Sequence, residues 1–235
     1  MAEATEELQA VLDNILDGKL VEFILEAGCG SVSQIRLDPK ASLVGIDTSE
    51  KQLERNVALD VRILGDLQTY ILPKAHFDMI VCWDVLEHLP HPMLALENFV
   101  QAIEEDGLIL LALPNVYSMK GILTKFTPFW FHVWTRRHLF GEISAGTDDH
   151  GPFPTFLRAS VAPNSIRKFA VDHGMIVEYF RIYESPMHRL FGQRNRRLGL
   201  VWHYLSRIVQ VLSINRISAD LTDYIILLRK PQIVS

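Results

Sequence analysis

Acidic residues and glycines stand where short apolar runs of this chain end. Glu26 precedes the turn Gly28-Cys29-Gly30, and Asp47 and Asp66 each follow a run of apolar or β-branched residues. A glycine turn after a buried strand exposes backbone N–H groups, so a ligand can approach the chain closely. An acid at the end of the next strand can accept both hydroxyls of a ribose, as it does in dinucleotide folds. This combination predicts a site for a ligand that contains a nucleoside.

Each acidic residue suits a different part of such a ligand. Asp47 is placed for the ribose, Asp66 for the exocyclic amine of an adenine, and Glu26 for a positively charged amino group. Any one of them alone is equally typical of a solvated loop charge. Their placement at successive strand ends, on one edge of a sheet, favours a shared site. We expect the site to include four further residues at these strand ends: Cys29, Thr48, Leu67 and Trp83.

Two cofactor classes fit the glycine turn and the ribose acid. A nicotinamide dinucleotide fold would have its third fingerprint glycine at position 33, where this chain has Ser33. The pyrophosphate of such a dinucleotide would also lie next to the negative charge of Glu26, whereas a positively charged aminoacyl group would be attracted by it. The residues therefore favour S-adenosylmethionine, and a nicotinamide-binding Rossmann protein is the alternative.

The segment Asp84-Val85-Leu86-Glu87-His88 follows the fourth apolar run and opens onto the same edge. Transfer of a group to a hydroxyl requires alignment of the acceptor and removal of its proton. His88, whose ordinary pKa lies near neutrality, is the candidate general base, and Asp84 is the second candidate catalytic residue. In another interpretation Asp84, Glu87 and His88 hold a divalent metal ion. The fourth metal ligand would then be His132, His138 or His150. In a third interpretation His88 has only a structural role at a helix start.

Alternating apolar runs and helical patterns must position these residues. The runs are short, are bounded by Gly, Asp or Pro, and predict seven strands of a doubly wound α/β sheet. Ser49 with Gln52 forms a capping box for one helix, Pro92 suits the first position of another, and Asn164 or Ser165 is expected to cap a third. The predicted strands are 21–25, 43–46, 61–64, 79–83, 108–113, 175–182 and 224–228, and the first four are expected to be buried. A turn is predicted over 104–107, and an amphipathic helix that serves as a lid or brace is predicted over 8–16.

Length and composition describe one soluble globular domain over residues 1–235. The chain is 49% hydrophobic and 22% charged with net charge −5, which is typical of neither a disordered protein nor a nucleic-acid-coating one. The two cysteines, Cys29 and Cys82, suggest neither a disulfide framework nor a cysteine metal site. The acidic start lacks the pattern of a signal peptide, and no apolar run approaches the roughly 20 residues that span a bilayer. We therefore expect a cytoplasmic protein.

An insertion over residues 114–163 is expected on the acceptor side of the domain. It has no steady period, which predicts irregular structure. Its aromatic run over 126–134 either fills the core beneath a loop or lines an apolar acceptor pocket. The polar residues that accompany this run suit a sugar or phenolic acceptor, and they are Tyr117, His132, Arg136, Arg137, His138, Asp148, Asp149 and His150.

A second insertion over residues 184–222 is basic and amphipathic. Between 181 and 216 Glu184 is the lone acid, against Arg181, Arg189, Arg194, Arg196, Arg197, Arg207 and Arg216. Such a helix can make a peripheral contact with anionic lipid, dock on its own domain, or contact a second subunit in a homodimer. No recognised module accompanies the arginines, so no nucleic-acid partner is expected. The predicted apolar face consists of Leu198, Val201, Trp202, Leu205, Ile208, Val209 and Leu212.

Four segments of the chain carry a family resemblance. They are Ile24-Leu25-Glu26-Ala27-Gly28-Cys29-Gly30-Ser31, Val44-Gly45-Ile46-Asp47, Leu64-Gly65-Asp66-Leu67 and the run from Phe77 to Leu89. Together they resemble class I S-adenosylmethionine-dependent methyltransferases, especially the ubiquinone-biosynthesis-like branch, over roughly residues 20 to 115 and the two closing strands.

The resemblance implies a Rossmann-like, seven-stranded mixed sheet whose last strand is antiparallel. It assigns the aminoacyl part of the cofactor to Glu26, Gly28 and Gly30, the ribose to Asp47, and the adenine to Asp66. Many members have a further glycine where this chain has Val32. Unless the Val32 side chain points into the core, this departure limits backbone approach at the aminoacyl end.

We therefore predict an S-adenosylmethionine-dependent methyltransferase that methylates oxygen on a small-molecule, sugar or glycolipid-like acceptor. The two insertions are expected to close over that acceptor. One alternative is a non-catalytic cofactor-binding or regulatory protein on the same fold, for which Val32 is the local reason. The other is the nicotinamide-binding Rossmann protein.

Overall fold

A mixed sheet of seven strands organises the part of the chain that the structure describes. The computed structural model describes residues 2–141, 143–147, 151–185, 196–214, 216–218 and 220–232. The strands are β1 (Phe23–Ala27), β2 (Ser42–Asp47), β3 (Val61–Leu64), β4 (Phe77–Trp83), β5 (Ile103–Pro114), β6 (Ile176–Tyr183) and β7 (Asp223–Arg229). Their order is β3-β2-β1-β4-β5-β7-β6, with parallel pairing from β3 to β5 and β7 antiparallel to both of its neighbours. The predicted Rossmann-like sheet with an antiparallel last strand is confirmed.

Burial explains the apolar character of the inner strands but not that of the two edge strands, β3 and β6. β4, β5 and β7 lie inside the sheet, and their residues form nearly continuous buried runs, as strands covered on both faces do. The sequence predicts that β3 is buried as well, and this is wrong. Among the described strands β3 pairs with β2 alone, at the edge of the sheet, and Val61 and Leu64 are exposed there. Apolar patterning identifies this strand correctly but does not reveal its position in the sheet.

The beginning of β5 also differs from the sequence prediction. Ile103 already pairs with Phe77, and Leu108 pairs with Met79, so residues 104–107 form a bulge inside the strand rather than a turn before it. Asp106 has a φ of 63° in this bulge. Hydrogen bonds from Lys19 and Arg229 to its carboxylate hold the pKa of Asp106 below its usual range. The other strands begin and end within two residues of the predicted bounds.

The α-helices of the described residues are α1 (Ala2–Leu16), α2 (Glu50–Arg55), α3 (Pro92–Ala102), α4 (Met119–Phe126), α5 (Phe129–Thr135), α6 (Pro163–Asp172) and α7 (Arg196–Leu212). Ser49 caps α2 and Pro92 begins α3, as predicted. α6 begins earlier than predicted, because Pro163 already occupies its first position, so Asn164 and Ser165 lie inside the helix instead of capping it. In the described part of the chain, none of the helices combines the length and the apolar character needed to cross a bilayer.

The connection from β1 to β2, residues 28–41, is described throughout and contains no helix. In dinucleotide folds a glycine turn of this kind opens a helix, whereas the turn here does not. The connection is short, it must leave one strand and enter the next, and Pro39 interrupts its second half.

Helix α1 covers one face of the sheet and contacts this connection. Leu8 and Leu12 are buried in one apolar cluster with Ile24 of β1. The side-chain amide of Gln9 donates to the carbonyl of Arg36 (3.2 Å) and accepts from the N–H of the same residue (3.0 Å). α1 is therefore a brace that holds the 28–41 connection, and not a lid over the carboxyl edge of the sheet.

The first insertion is helical, whereas the sequence predicts irregular structure. It contains α4 and α5, followed by the π-helical turn Arg136–Phe140. Ser118 caps α4 by accepting a hydrogen bond from the N–H of Gly121 at 2.9 Å. α4 and α5 have 8 and 7 residues, so each is too short for a helical period to be recognised in the sequence.

The second insertion contains α7, as predicted, but the predicted apolar face is not buried as one unit. Trp202 and Val209 are half-buried, and Ser206 beside them is fully buried. Only part of this face is buried, and the alternatives for its contacts stay predictions, because four of its members are exposed: Val201, Leu205, Ile208 and Leu212. The side chains of Leu198, Arg196 and Arg197 lie outside the described part of the structure, as do Arg189 and Arg194 entirely.

Candidate active site

A cavity of about 860 Å³ opens at the carboxyl ends of β1, β2, β3 and β4. The carboxyl ends of parallel strands meet on one edge of a sheet, which is where α/β proteins bind their ligands. The wall of the cavity contains the predicted residues Glu26, Gly28, Cys29, Gly30, Asp47, Thr48, Asp66, Leu67, Trp83, Asp84 and His88. The structure thus brings these residues together, and their contacts with a ligand stay predictions.

The glycine turn forms a compact cradle at one end of the cavity. Gly28 and Gly30 have φ angles of 70° and 52°, in the left-handed region that favours glycine. The carbonyl of Ile46 in β2 accepts hydrogen bonds from the N–H of Gly28 (2.8 Å) and of Cys29 (3.2 Å). A Cβ atom at Gly28 would lie 2.4 Å from a methyl carbon of Val85. Burial and nearby carboxylates raise the pKa of the Cys29 thiol to about 12, so Cys29 stays protonated.

The two aspartates at the ends of β2 and β3 are held by backbone N–H groups. Asp47 accepts from the N–H of Gly30 (3.0 Å) with one oxygen and from the N–H of Ser49 (2.9 Å) with the other. Asp66 accepts from the N–H of Gln68 (2.9 Å), and the side-chain amide of Gln68 contacts both of its oxygens at 3.0 and 3.1 Å. A carboxylate has about four lone-pair sites, so both residues retain capacity to accept from a ligand.

Glu26 lies at the base of the cavity and is only 4% exposed. Its Oε2 atom has no hydrogen-bond partner among the described residues. Burial raises the pKa of this carboxyl, while the side chains of Ser33 and Asn56 lower it in part. Burial of an incompletely paired carboxylate is unfavourable, so a cationic group placed here would be stabilised. This oxygen and the glycine cradle together fit a ligand with an ammonium group, such as the aminoacyl end of S-adenosylmethionine.

Asp84 directly follows β4 and adopts a φ of 53°, which aspartate tolerates better than most residues. Its N–H donates to the carbonyl of Ala112 at 2.9 Å, so the pairing with β5 fixes its position. The side chain is open to the cavity, and protein surrounds it elsewhere. This partial desolvation and the negative charge of Asp223 raise the pKa of Asp84 to about 6, although Lys120 and Arg136 act in the opposite direction.

Asp223 is a site residue that sequence reasoning missed. It begins β7 and lies opposite Pro114, the last residue of β5. Lys120 donates to both of its oxygens at 3.0 and 3.2 Å, and the hydroxyl of Thr222 donates to Oδ2 at 2.6 Å. The first insertion therefore supplies a cation to this part of the site through α4. Only the antiparallel register of β7 reveals the proximity of Asp223 to Asp84.

His88 ends a short 3₁₀ turn, Leu86–His88, and lies on the wall of the cavity. Its Nδ1 atom is 2.8 Å from the carbonyl oxygen of Pro154. A carbonyl can only accept, so Nδ1 carries the proton and Nε2 carries the lone pair of the neutral ring. Burial lowers the pKa of His88, and so does the charge of Arg136, while the bond to Pro154 raises it. The imidazole is therefore neutral at neutral pH.

Glu87 does not line the cavity, which argues against the metal-binding interpretation. Its side chain is buried, burial raises its pKa well above the usual value, and Oε1 is 3.8 Å from Nε2 of His88. Within the described ranges, no group of three or more His, Cys, Asp or Glu side chains is arranged to hold a metal ion. His132 and His138 form hydrogen bonds within the first insertion instead, and His150 lies outside the described residues.

The aromatic residues on the cavity wall differ from the predicted ones. The run over 126–134 neither fills the core nor lines the cavity, since Phe126 and Trp130 are 78% and 67% exposed. Phe153 and Phe156, from the end of the same insertion, line it instead. The N–H of Phe156 donates to the carbonyl of Glu87 at 2.8 Å and so ties this segment to the turn that carries His88. Asp148, Asp149 and His150 lie outside the described residues.

Val32 also lines the cavity, and its side chain is exposed. Of the two orientations that the sequence leaves open, the side chain does not take the one that points into the core. A ligand at this end of the cavity would therefore meet an isopropyl group beside the glycine cradle.

Comparison with known proteins places these observations in context. A family model described as a methyltransferase domain matches residues 2–158. The chain is 23% identical over 180 residues to a ubiquinone biosynthesis O-methyltransferase of Azoarcus sp. (strain BH72). The aligned region covers 72% of this chain and 71% of that protein. The chain is 29% identical over 165 residues to the protein of the same name from Pseudomonas paraeruginosa (strain DSM 24068 / PA7), at 66% and 65% coverage. In fold it is similar to a SAM-dependent methyltransferase from Archaeoglobus fulgidus, with a TM-score of 0.51, 15% identity, and coverage of 96% and 94%.

Replacement of Gly28 by alanine is expected to disrupt the cradle, because the new Cβ would overlap Val85 at an unfavourable φ. We expect the free energy of unfolding to fall by roughly 2–4 kcal/mol, the sum of backbone strain and overpacking. Gly30→Ala is the matched control, since its φ is also positive but nothing lies within 4 Å of the new Cβ. The free energy of unfolding of this control should fall by only about 1–2 kcal/mol. Urea unfolding measures both variants, and equal losses would contradict a role for the Val85 contact.

Proposed function

Because this chain belongs to the methyltransferase-domain family and is an S-adenosylmethionine-dependent methyltransferase, we propose that it methylates an oxygen atom of a small-molecule acceptor. The observation that carries the proposal is the joint position of His88 and Asp84 on the wall of the cavity that also contains the residues predicted to bind the cofactor. A hydroxyl acceptor needs a base within reach of its proton, and these two residues supply candidates. The names of the matched ubiquinone biosynthesis enzymes, which specify O-methylation, support an oxygen acceptor.

S-Adenosylmethionine supplies an electrophilic methyl group when it is bound. We infer that Glu26 binds its amino group, that Asp47 accepts from its ribose hydroxyls, and that Asp66 accepts from its adenine amine. The buried oxygen of Glu26 that has no hydrogen-bond partner in the described part of the chain supports the first assignment. The rigid backbone support of the two aspartates supports the others, because carboxylates fixed before the ligand arrives lose little entropy on binding. Thr48, Leu67 and Trp83 would complete the walls around the nucleoside.

The neutral form of His88 suits the role of general base. With Nδ1–H donated to the carbonyl of Pro154, the lone pair of Nε2 remains to accept the proton of an acceptor hydroxyl. Nε2 would take that proton and leave the oxygen nucleophilic toward the methyl group that the bound cofactor would supply, with the carbon–sulfur bonding electrons remaining on the cofactor. Asp84, fixed by its pairing with β5 and open to the cavity, would accept a hydrogen bond from the acceptor and orient it.

The wall beyond the cofactor-binding residues favours a phenolic, sugar or glycolipid-like acceptor. Phe153 and Phe156 offer aromatic surface for a flat or apolar group. Arg136 contributes positive charge near both Asp84 and His88, which would favour the developing negative charge on an acceptor oxygen. Nicotinamide binding is no longer an alternative, since the chain belongs to a methyltransferase family.

The proposal is tested with an acceptor panel. Purified protein is incubated with S-adenosylmethionine and phenols, catechols, sugars, glycolipids and amines, and the methylated products are identified by mass spectrometry. We expect O-methylated product from at least one hydroxyl class. Turnover of amines alone would exclude oxygen as the acceptor atom, and cofactor binding without turnover of any class would favour the non-catalytic alternative.

Glu26→Gln is expected to weaken the binding of S-adenosylmethionine about ten- to hundredfold, because it removes a charge-assisted contact with the amino group. The pKa of Glu26 is raised in the free protein, and a bound ammonium group would lower it. Binding should therefore release protons below that raised pKa, and affinity should increase with pH. Calorimetry in buffers of different ionisation enthalpy measures both effects. The control is Glu22→Gln, which changes an exposed acid just before β1. It should change neither the affinity for S-adenosylmethionine nor the release of protons on binding.

The pH dependence of kcat/KM should report the ionisation of Asp84. Asp84 must be charged and His88 neutral, so activity should fall as the pH decreases through about 6, the raised pKa of Asp84. Asp84→Asn should remove this component, while His88→Gln should lower kcat by about 10²–10⁴. His91→Gln changes an exposed histidine three residues after His88, and it should alter neither the acid limb of the pH profile nor kcat. An unchanged acid limb in Asp84→Asn would contradict the role given to Asp84.

A further inference from the structure

The side-chain amide of Gln68 connects two parts of the candidate active site. Gln68 lies two residues after Asp66, on the wall of the cavity, and is half-buried. Its Nε2 atom donates to both carboxylate oxygens of Asp66, at 3.0 and 3.1 Å. Its Oε1 atom accepts from the backbone N–H of His91 at 2.9 Å. One end of the amide therefore binds the acid predicted to contact the adenine, and the other end binds the segment that follows His88.

The chemistry of the two partners fixes the orientation of this amide. A carboxylate accepts hydrogen bonds, so the NH2 group of Gln68 must face Asp66. A backbone N–H donates, so the carbonyl oxygen of Gln68 must face His91. An amide turned by 180° would lose the bonds to both partners at once. Gln68 is thus held by Asp66 and His91, and it restrains each of them in turn.

The bond to His91 replaces a cap that helix α3 lacks. His91 directly precedes Pro92 at the start of α3, and its own side chain forms no capping hydrogen bond. In a capping box, a Glu or Gln at the third position of the helix accepts from the N–H of the capping residue, but that position is Leu94 here. Gln68 supplies this acceptor from a different part of the chain. The side chain of His91 takes no part in the bond.

The turn that carries His88 is held from its other side by the end of the first insertion. Nδ1 of His88 contacts the carbonyl of Pro154, and Nε of Arg158 donates to the carbonyl of Pro90 at 3.1 Å. Residues 88–91 therefore lie between the acceptor-side wall and Gln68. Loss of the bond between Gln68 and His91 would remove the restraint on one of these two sides.

We propose that Gln68 is a positioning residue that orients Asp66 toward the adenine and, through the backbone of His91, holds the turn that carries His88. The proposal rests on the roles that the proposed function gives to Asp66 and His88. A carboxylate with a donor at each oxygen cannot rotate freely, so its remaining lone pairs point in fixed directions. The amine of adenine can donate to these lone pairs, whereas the oxygen at the same position of hypoxanthine cannot. Gln68 should therefore contribute both to selectivity for adenine and to the rate of transfer.

Two substitutions separate the two ends of the amide. Gln68→Glu keeps an oxygen that can accept from His91 but places a second carboxylate against Asp66. Gln68→Lys keeps a donor for Asp66 but has no acceptor for His91. The matched controls are Gln101→Glu and Gln101→Lys, because Gln101 is an exposed residue of α3. Circular dichroism at the assay temperature checks that every variant is folded.

The end that faces Asp66 is tested by calorimetry with two ligands. S-Adenosylhomocysteine is compared with S-inosylhomocysteine, in which an oxygen replaces the amine of the adenine. The unchanged protein should prefer the adenine form, and Gln68→Glu should reduce this preference about tenfold. Gln68→Lys should keep the preference within about threefold of the original value. Neither titration needs an acceptor, so the result does not depend on which atom is methylated.

The end that faces His91 is tested by hydrogen exchange and by kinetics. Gln68→Lys should accelerate amide exchange in the segment 86–91, as followed by mass spectrometry, and Gln68→Glu should do so much less. With an acceptor that the panel identifies, kcat at saturating cofactor should be about three- to tenfold lower in Gln68→Lys than in Gln68→Glu. Both Gln101 controls should match the unchanged protein in ligand preference, exchange and kcat.

The pattern of effects decides the proposal. Equal effects of Gln68→Glu and Gln68→Lys on ligand preference and on exchange, including no effect, would overturn it, because a residue that only stabilises its own loop gives that result. A change in only one of the two readouts would also overturn it, since Gln68 would then serve one partner alone. Absence of turnover with every acceptor, alongside the expected changes in ligand preference and exchange, would instead reject only the proposed methylation of oxygen.

Discussion

The cost of placing negative charge in a poorly solvated position dominates the carboxyl edge of this sheet. Asp84 and Asp223 lie near one another there, and Glu26 and Glu87 are buried. Each carboxyl group must be neutralised, paired or supplied with donors. Asp223 is paired with Lys120 of the first insertion, whereas Glu26 keeps one oxygen without a partner among the described residues. Asp223 is therefore one half of a supporting ion pair, whereas Glu26 is suited to bind a cationic ligand.

The same constraint explains why the insertion is part of the site and not an appendage. Without α4 there would be no Lys120 to compensate Asp223, and the pKa of Asp84 would rise further because one of the charges that lower it would be absent. Arg136, at the end of α5, acts on Asp84 and His88 in the same way. The insertion thus influences the chemistry through electrostatics, although its most conspicuous aromatic residues face away from the cavity.

Patterns in the sequence predicted the structural features that depend on interactions between residues close together in the chain. Strand ends, the glycine turn, the Ser49 cap and the positions of Asp47 and Asp66 follow from residues close together in the chain. The features that were missed depend on contacts between distant segments. Asp223 reaches the site through the register of β7, and Phe156 through a hydrogen bond to Glu87. The support of the connection after the glycine turn likewise comes from a distant segment, because α1, at the beginning of the chain, is hydrogen-bonded to Arg36.

The left-handed backbone of Asp84 has a consequence for how this protein could be improved. An L-residue in that conformation stores roughly 1 kcal/mol that glycine would release. The most direct route to a more stable molecule therefore removes the carboxylate that lines the cavity. Under the role proposed for Asp84, selection for heat resistance and selection for turnover should act on this position in opposite directions.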